Sequence, residues 1–159
     1  MKNILSFILP IFLLLSCVDP CKDLVCLNGG TCLDGACLCP DFYIGTDCGI
    51  EERSNYFATY TGMTTYTDNL GNTNTYADSK TISSSPKGVS YIKFDGGVYA
   101  SLSTPGAGVF DIPSQSGSNP AVSDTYYSGS GSFSGDYVNY TITVENNGQI
   151  LTMSFTGSK

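Results

Sequence analysis

The stretch YVNYTITVENNGQILTMSFT, residues 137–156, decides the fold class. Val138, Tyr140, Ile142 and Val144 alternate with Tyr137, Asn139, Thr141 and Thr143, the period of two that puts successive side chains on opposite faces of a strand. Ile150 to Thr156 repeats the pattern, with Leu151, Met153 and Phe155 on one face. Between them lies Glu145-Asn146-Asn147-Gly148-Gln149, and Asn-Gly is the dipeptide that best tolerates the two positive φ angles of a type I′ turn. The pair is therefore a predicted β-hairpin, with Val138, Tyr140, Ile142, Val144, Leu151, Met153 and Phe155 facing a core.

Working outward, residues from Tyr56 to Lys159 contain no cysteine and no long apolar run, and they are rich in Thr, Ser, Tyr, Gly and Asn. Turn signals recur about every 8–12 residues, the mark of an all-β sandwich or barrel. Earlier strands are expected near Tyr56–Asp68, Thr73–Ser83, Gly88–Phe94, Val98–Ser103, Gly108–Ile112 and Thr125–Gly131. Asn69-Leu70-Gly71-Asn72 and Asp95-Gly96-Gly97 supply turns between them. Ser114 to Ser123 is the longest polar connection, a candidate loop at a barrel mouth. Eight short antiparallel strands joined by hairpins close most simply into an up-and-down barrel, which leaves no open edge. A two-sheet sandwich is the alternative. No helical periodicity is expected after the N-terminal apolar run.

Ahead of this region, Cys21 to Cys48 holds six of the seven cysteines in 28 residues. A segment that short cannot bury a stabilising core and needs cross-links or a metal. Zinc sites favour CxxC pairs or Cys with His, but this chain has no histidine and its closest pair is Cys37-Leu38-Cys39. Disulfides are the expected use, and six cysteines allow 15 pairings. The gaps of four, five, four, one and eight residues, with Asn28-Gly29-Gly30-Thr31 and Gly45, resemble an epidermal-growth-factor-like (EGF-like) module. That resemblance implies the pairs Cys21–Cys32, Cys26–Cys37 and Cys39–Cys48, each contributing about 2–4 kcal/mol. The family's usual glycine three residues after the fifth cysteine is Phe42 here, which makes the turn irregular. Its calcium-binding members carry acidic clusters that Asp19 and Leu33-Asp34-Gly35-Ala36 do not reproduce, whereas calcium wants six to eight oxygens. No calcium is expected.

At the N-terminus, Met1-Lys2-Asn3 precedes an apolar run of 12 residues, Ile4 to Leu15, interrupted by Pro10. A bilayer span needs about 20 apolar residues, so the run suits a signal-peptide core. Leu14-Leu15-Ser16-Cys17 resembles a lipobox, which implies lipid attachment at Cys17 and a mature chain beginning there. Cysteine arithmetic agrees, because three disulfides leave Cys17 over and acylation removes a stray thiol. Two or more acyl chains hold a protein on a membrane durably. The expected organisation is a signal peptide over 1–16, an anchored N-terminus over 17–20, an EGF-like module over 21–48, a linker over 49–55 and a β domain over 56–159. The β domain resembles the small lipocalin-like (calycin-type) domains that follow bacterial lipoprotein signals. Phe57-Ala58-Thr59-Tyr60-Thr61-Gly62, Phe110-Asp111-Ile112-Pro113-Ser114-Gln115 and Ser128 to Phe133 carry that resemblance. Ala58-Thr59-Tyr60 stands where the family has Gly-x-Trp, and the chain has no Trp.

The formal charge is −7, and removal of Lys2 with the signal peptide makes the chain one unit more negative. An acidic chain does not suit nucleic acid, which requires a basic surface. The absence of histidine removes Ser-His-Asp and Cys-His catalysis. Paired carboxylates are what remains for a hydrolase, yet Asp68, Asp95, Asp124, Asp136 and Glu145 fall beside predicted turns, and Asp78 is read with them. Asp111 sits on a strand, on the face opposite Phe110 and Ile112. The expectation is a non-catalytic binding module without cofactor, in the cell envelope and lipid-anchored to the outer membrane. Its partner would be the membrane plus another envelope protein or a glycan, with Tyr126 and Tyr127 as possible ligand contacts. The alternatives are a structural envelope protein without ligand and, last, a carboxylate hydrolase. A barrel of eight strands is either filled by its own side chains or holds one small ligand, and the bulky inward set favours filling. Cys17→Ser should release the protein from membranes or stall its processing, read by fractionation and detergent phase partition.

Overall fold

Alternation and turn chemistry become a closed antiparallel barrel in the computed structural model, which describes residues 19–116 and 125–159. The lipobox with Cys17, Asp124 and most of the Ser114–Ser123 connection lie outside the described residues. Four short strands come first: β1 (Thr31–Leu33), β2 (Ala36–Leu38), β3 (Tyr43–Ile44) and β4 (Ile50–Glu51). The barrel strands are β5 (Ala58–Thr67), β6 (Thr73–Ser84), β7 (Tyr91–Phe94), β8 (Tyr99–Leu102), β9 (Val109–Ser116), β10 (Thr125–Ser134), β11 (Tyr137–Asn146) and β12 (Gln149–Ser158). Each pairs with its chain neighbour, and β12 returns to pair with β5 from Thr152↔Thr67 to Ser158↔Thr61. Closure, not a sandwich, is the solution adopted.

The β11–β12 hairpin has the expected register, with Tyr140 opposite Phe155 and Ile142 opposite Met153. Asn147 and Gly148 take φ of 49° and 77°, the left-handed pair that a type I′ turn requires. Val138, Tyr140, Ile142 and Phe155 are buried, whereas Val144, Leu151 and Met153 are half-buried because they lie toward the barrel's open end. Asp111 is exposed between buried Phe110 and Ile112, as its alternation implied. β10 runs past the expected Gly131 to Ser134, because Gly129 and Gly131 face inward where alternation by hydrophobicity cannot be seen. A Cβ on Gly131 would strike the Phe110 ring and the Tyr140 side chain, so the glycine gives these rings their room.

β9 also overruns its expected end, continuing through Pro113. β8 pairs with it only at Ser101↔Asp111 and Leu102↔Phe110, so the missing N–H of Pro113 breaks no bond on that side. Beyond this point the Gln115 amide substitutes for a strand: its Oε1 accepts from Tyr99 N (2.9 Å) and its Nε2 donates to Tyr99 O (2.6 Å). β7 begins at Tyr91 rather than Gly88, because Gly88 is at φ 138° in the preceding turn.

Rings fill the lower barrel. Tyr56 stacks on Phe133 at 4.2 Å, Phe133 meets Phe110 at 5.1 Å, and Phe94 meets Tyr140 at 5.0 Å. Tyr140 continues to Phe155 at 5.4 Å, with Tyr60, Ile82, Ile92, Ala100 and Leu102 packed around them.

Two short 3-10 turns interrupt the strands: Asp95–Gly97 stands where a turn was expected, and Glu52–Tyr56 is new. The latter lies in and just after the stretch expected as a linker, and it is strapped across one end of the barrel. Arg53 Nη1 donates to the carbonyls of Ser85 (2.8 Å), Gly88 (2.7 Å) and Tyr91 (3.0 Å), while Nε pairs with Glu51. Buried Glu52 accepts from Tyr56 Oη and from Gly106 N. Both buried charges thus have hydrogen-bond partners, the condition for tolerating them.

The disulfides join Cys21–Cys32, Cys26–Cys37 and Cys39–Cys48, the pairs implied by the module's resemblance. Phe42 takes φ 66°, the left-handed conformation that suits the glycine expected there. That geometry costs a residue with a Cβ about 1 kcal/mol or more. Its ring packs against the barrel's buried cluster, so the strain is offset by contact with the neighbouring domain.

Phe155 is 1 % exposed, and Phe155→Ala should cost about 3–5 kcal/mol in chemical denaturation. Thr156 faces outward, donating only to Asn139 Oδ1 at 2.7 Å, and Thr156→Ala should cost less than about 1 kcal/mol. Equal costs for the two variants would contradict the assigned register.

Candidate functional site

β7 and β8 are short, and this shapes the opposite end of the barrel. β6 pairs with β7 only over Ile82, Ser83 and Ser84, so residues 73–81 have no strand on that side among the described residues. β9 likewise outlasts β8. Above the β7–β8 turn the wall is therefore open among the described residues. Gly96 and Gly97, at φ 77° and 84°, fold this turn tightly, and Phe94 N donates to Val98 O across it. Phe94 and Val98 are consequently held at the lip of the opening.

Behind the lip is a cavity of about 140 Å³. Phe94, Val98, Tyr127, Tyr140, Ile142 and Met153 form its apolar wall, and Lys80 and Asp95 its polar side. β6 explains the charge. Ile82 is buried, and the period of two places Lys80 and Asp78 on the same inward face while Ser79, Thr81 and Ser83 face solvent. Lys80 Nζ lies 2.8 Å from Asp78 Oδ2, and that oxygen also accepts from Thr64 Oγ1 at 2.8 Å. Bonding to Lys80 holds the Asp78 carboxyl below its ordinary range. Asp95 Oδ2 accepts from Thr81 N at 2.6 Å, tying the β7–β8 turn to the free side of β6.

Asp78 is therefore no turn-side acid: it stands within β6, aimed inward. The signal is in the sequence, since Asp78 and Lys80 are in phase with Ile82, but hydrophobic alternation alone gives a charge no reason to face inward. A second role follows from the fold. Inward-pointing charges blunt an unpaired strand edge, and the free side of β6 is such an edge. The tyrosine pair divides. Tyr127 lines the cavity, whereas Tyr126 points outward and is half-exposed. Asp111 accepts from Ser103 Oγ on the outer surface. The cysteines Cys21, Cys26, Cys32, Cys37, Cys39 and Cys48 are all in disulfides, away from the cavity wall. Among the described residues no group of three or more Cys, Asp or Glu is placed to hold a metal ion.

Phenols crowd the inner wall. Tyr66 stacks on Tyr76 at 5.7 Å, and the hydrogen bond between them, with burial and the nearby Asp78, pushes the Tyr66 hydroxyl up to about 12. Burial drives Tyr140 upward, helped by the Asp78 and Asp95 carboxylates. At the strapped end, burial and the bond to Glu52 push Tyr56 up to about 12.

No family model, no curated protein and no solved structure matches this chain.

The raised tyrosines have a consequence at high pH. The unfolded chain ionises its phenols near 10, whereas Tyr56 and Tyr66 in the folded chain resist until about 12. Their stabilising contribution is complete below pH about 10 and is lost as pH rises from about 10 through about 12. Denaturation midpoints should be flat below the window and fall across it, with tyrosinate absorbance lagging that of the denatured chain. Flat midpoints throughout would show that these phenols are solvated.

Proposed function

We propose that the chain is a non-catalytic carrier of one small ligand, held outside the cytoplasm on a lipid at Cys17. In this reading a lipocalin-like barrel receives the ligand and an EGF-like disulfide module is the stalk next to the membrane. The observation that carries it is the half-filled barrel: rings and aliphatic side chains pack one end, while the other keeps a cavity of about 140 Å³ beside a break in the wall. An interior that only needed stability would be close-packed, since an unfilled cavity costs core contacts. The cavity's mix of apolar wall and few polar groups is that of small-molecule sites in general. A stalk joined at the strapped end would leave the opening free. β7 runs from the strapped end at Tyr91 to the lip at Phe94, so the module, attached through residues 49–56, is at the opposite end.

Binding of small aromatic probes to the intact, oxidised chain, followed by methyl and ring NMR shifts, tests the reading. Shifts should cluster on Val98, Tyr127, Ile142 and Met153, and Met153→Trp, which fills the cavity, should abolish them. Scattered shifts, unaffected by Met153→Trp, would favour a structural envelope protein without ligand.

A further inference from the structure

The charges around the cavity bear on which ligand it takes, an inference that rests on the carrier reading above. We infer that the cavity receives a small organic cation: one ring bearing a single primary ammonium group.

Size sets the first limit. A cavity of about 150 Å³ with aliphatic and aromatic walls accommodates one benzene molecule, so the present 140 Å³ admits one ring. A second ring does not fit behind the lip. Any polar arm must point toward the opening, where Lys80 and Asp95 are.

Charge sets the second limit. Lys80 is the cation on the wall, and it is already engaged by Asp78 at 2.8 Å. Asp95 is a further carboxylate, whose bond to Thr81 N uses one oxygen and keeps the group at the rim. Two carboxylates face one ammonium, so the local balance is one negative charge. An anionic ligand would have to draw Lys80 away from Asp78 and approach Asp95 at the same time. An ammonium ligand meets the opposite situation, because it supplies the missing charge without breaking the Lys80–Asp78 pair. The walls add to this preference. Phe94, Tyr127 and Tyr140 line the cavity, and an aromatic ring attracts a cation that reaches its face. The chain as a whole carries −7, which concentrates cations around it.

The competing account is that Lys80 and Asp78 serve only to blunt the free edge of β6. That account explains why charges point inward. It does not require Asp95 at the rim or three aromatic side chains lining the same space, and it predicts no preference among ligand charges.

Three isosteric probes decide between them: benzylammonium, benzyl alcohol and benzoate, each titrated against the intact, oxidised chain near neutral pH with Ile142 and Met153 methyl shifts as readout. Benzylammonium should bind at least about fivefold more tightly than either of the others, at these methyls. Asp95→Asn should narrow that preference by about three- to fivefold, the range for a rim charge in contact with water. Lys80→Gln should widen it, since it leaves Asp78 without its counter-charge. These opposite signs keep the test sound if either variant folds poorly. Equal or tighter binding of benzyl alcohol or benzoate at the same methyls overturns the cation preference and leaves the carrier reading standing. No shift at Ile142 and Met153 with any probe overturns both. Benzylammonium shifts confined to surface carboxylates, away from these methyls, assign the effect to overall charge and overturn the inference.

Discussion

The pairing of β12 with β5 is the constraint on which the rest of the molecule depends. It joins residues 152–158 to residues 61–67, about ninety positions apart in the chain, and turns a meander with two raw edges into a closed wall. Closure fixes which face is inside for all eight strands at once, because a slip of one residue would turn every side chain over. Small residues make the seam possible. Gly62 and Gly157 are opposite each other there, and a Cβ on Gly157 would lie 2.5 Å from the Phe155 ring. The ring covers the glycine, so a residue without a Cβ and the largest buried side chain of β12 belong to one arrangement.

Once the wall is closed, its two ends are treated differently. One is sealed by the strap Glu52–Tyr56, whose buried charges are matched by carbonyls, an amide and a phenol. Phe42 reaches the same cluster from the disulfide-rich region, in a left-handed backbone conformation that favours glycine. The module is thus fitted to the barrel rather than merely tethered. Among the described residues the other end is open, because β7 and β8 have four residues each against twelve in β6. A short hairpin in a wall of long strands leaves a gap, and the gap gives the interior its access.

The distribution of polarity follows from this asymmetry. Outward positions of β6 are Thr, Ser and Ala, while its charged residues Asp78 and Lys80 face in. In a fully packed barrel that inversion would place desolvated charges in the core at great cost. Here they line or adjoin an opening, bonded to each other and to Thr64. The same placement that protects an unpaired edge also puts Lys80 on the polar side of the cavity, and the carrier reading draws on this coincidence.

Much of the architecture was legible in the order of residues. The strict alternation of 137–144 and 150–156, the Asn147-Gly148 turn and the cysteine spacing are local signals, each with a local physical cause: the period of a strand, the φ demands of a turn and the reach of a disulfide. These determined an all-β chain and a cross-linked N-terminal region, and the turn signals between them set the count of eight further strands. What the sequence alone left undecided was barrel against sandwich, the ends of β9 and β10, the strap at 52–56 and the opposed orientations of Tyr126 and Tyr127. The cavity belongs to this second group. Its wall draws on β6, β10, β11, β12 and the β7–β8 turn, and no periodicity within one strand encodes the distance to another. Only the tertiary structure decided that Lys80 and Asp95 would meet around an aromatic void, because the void is what remains when strands of unequal length close a ring.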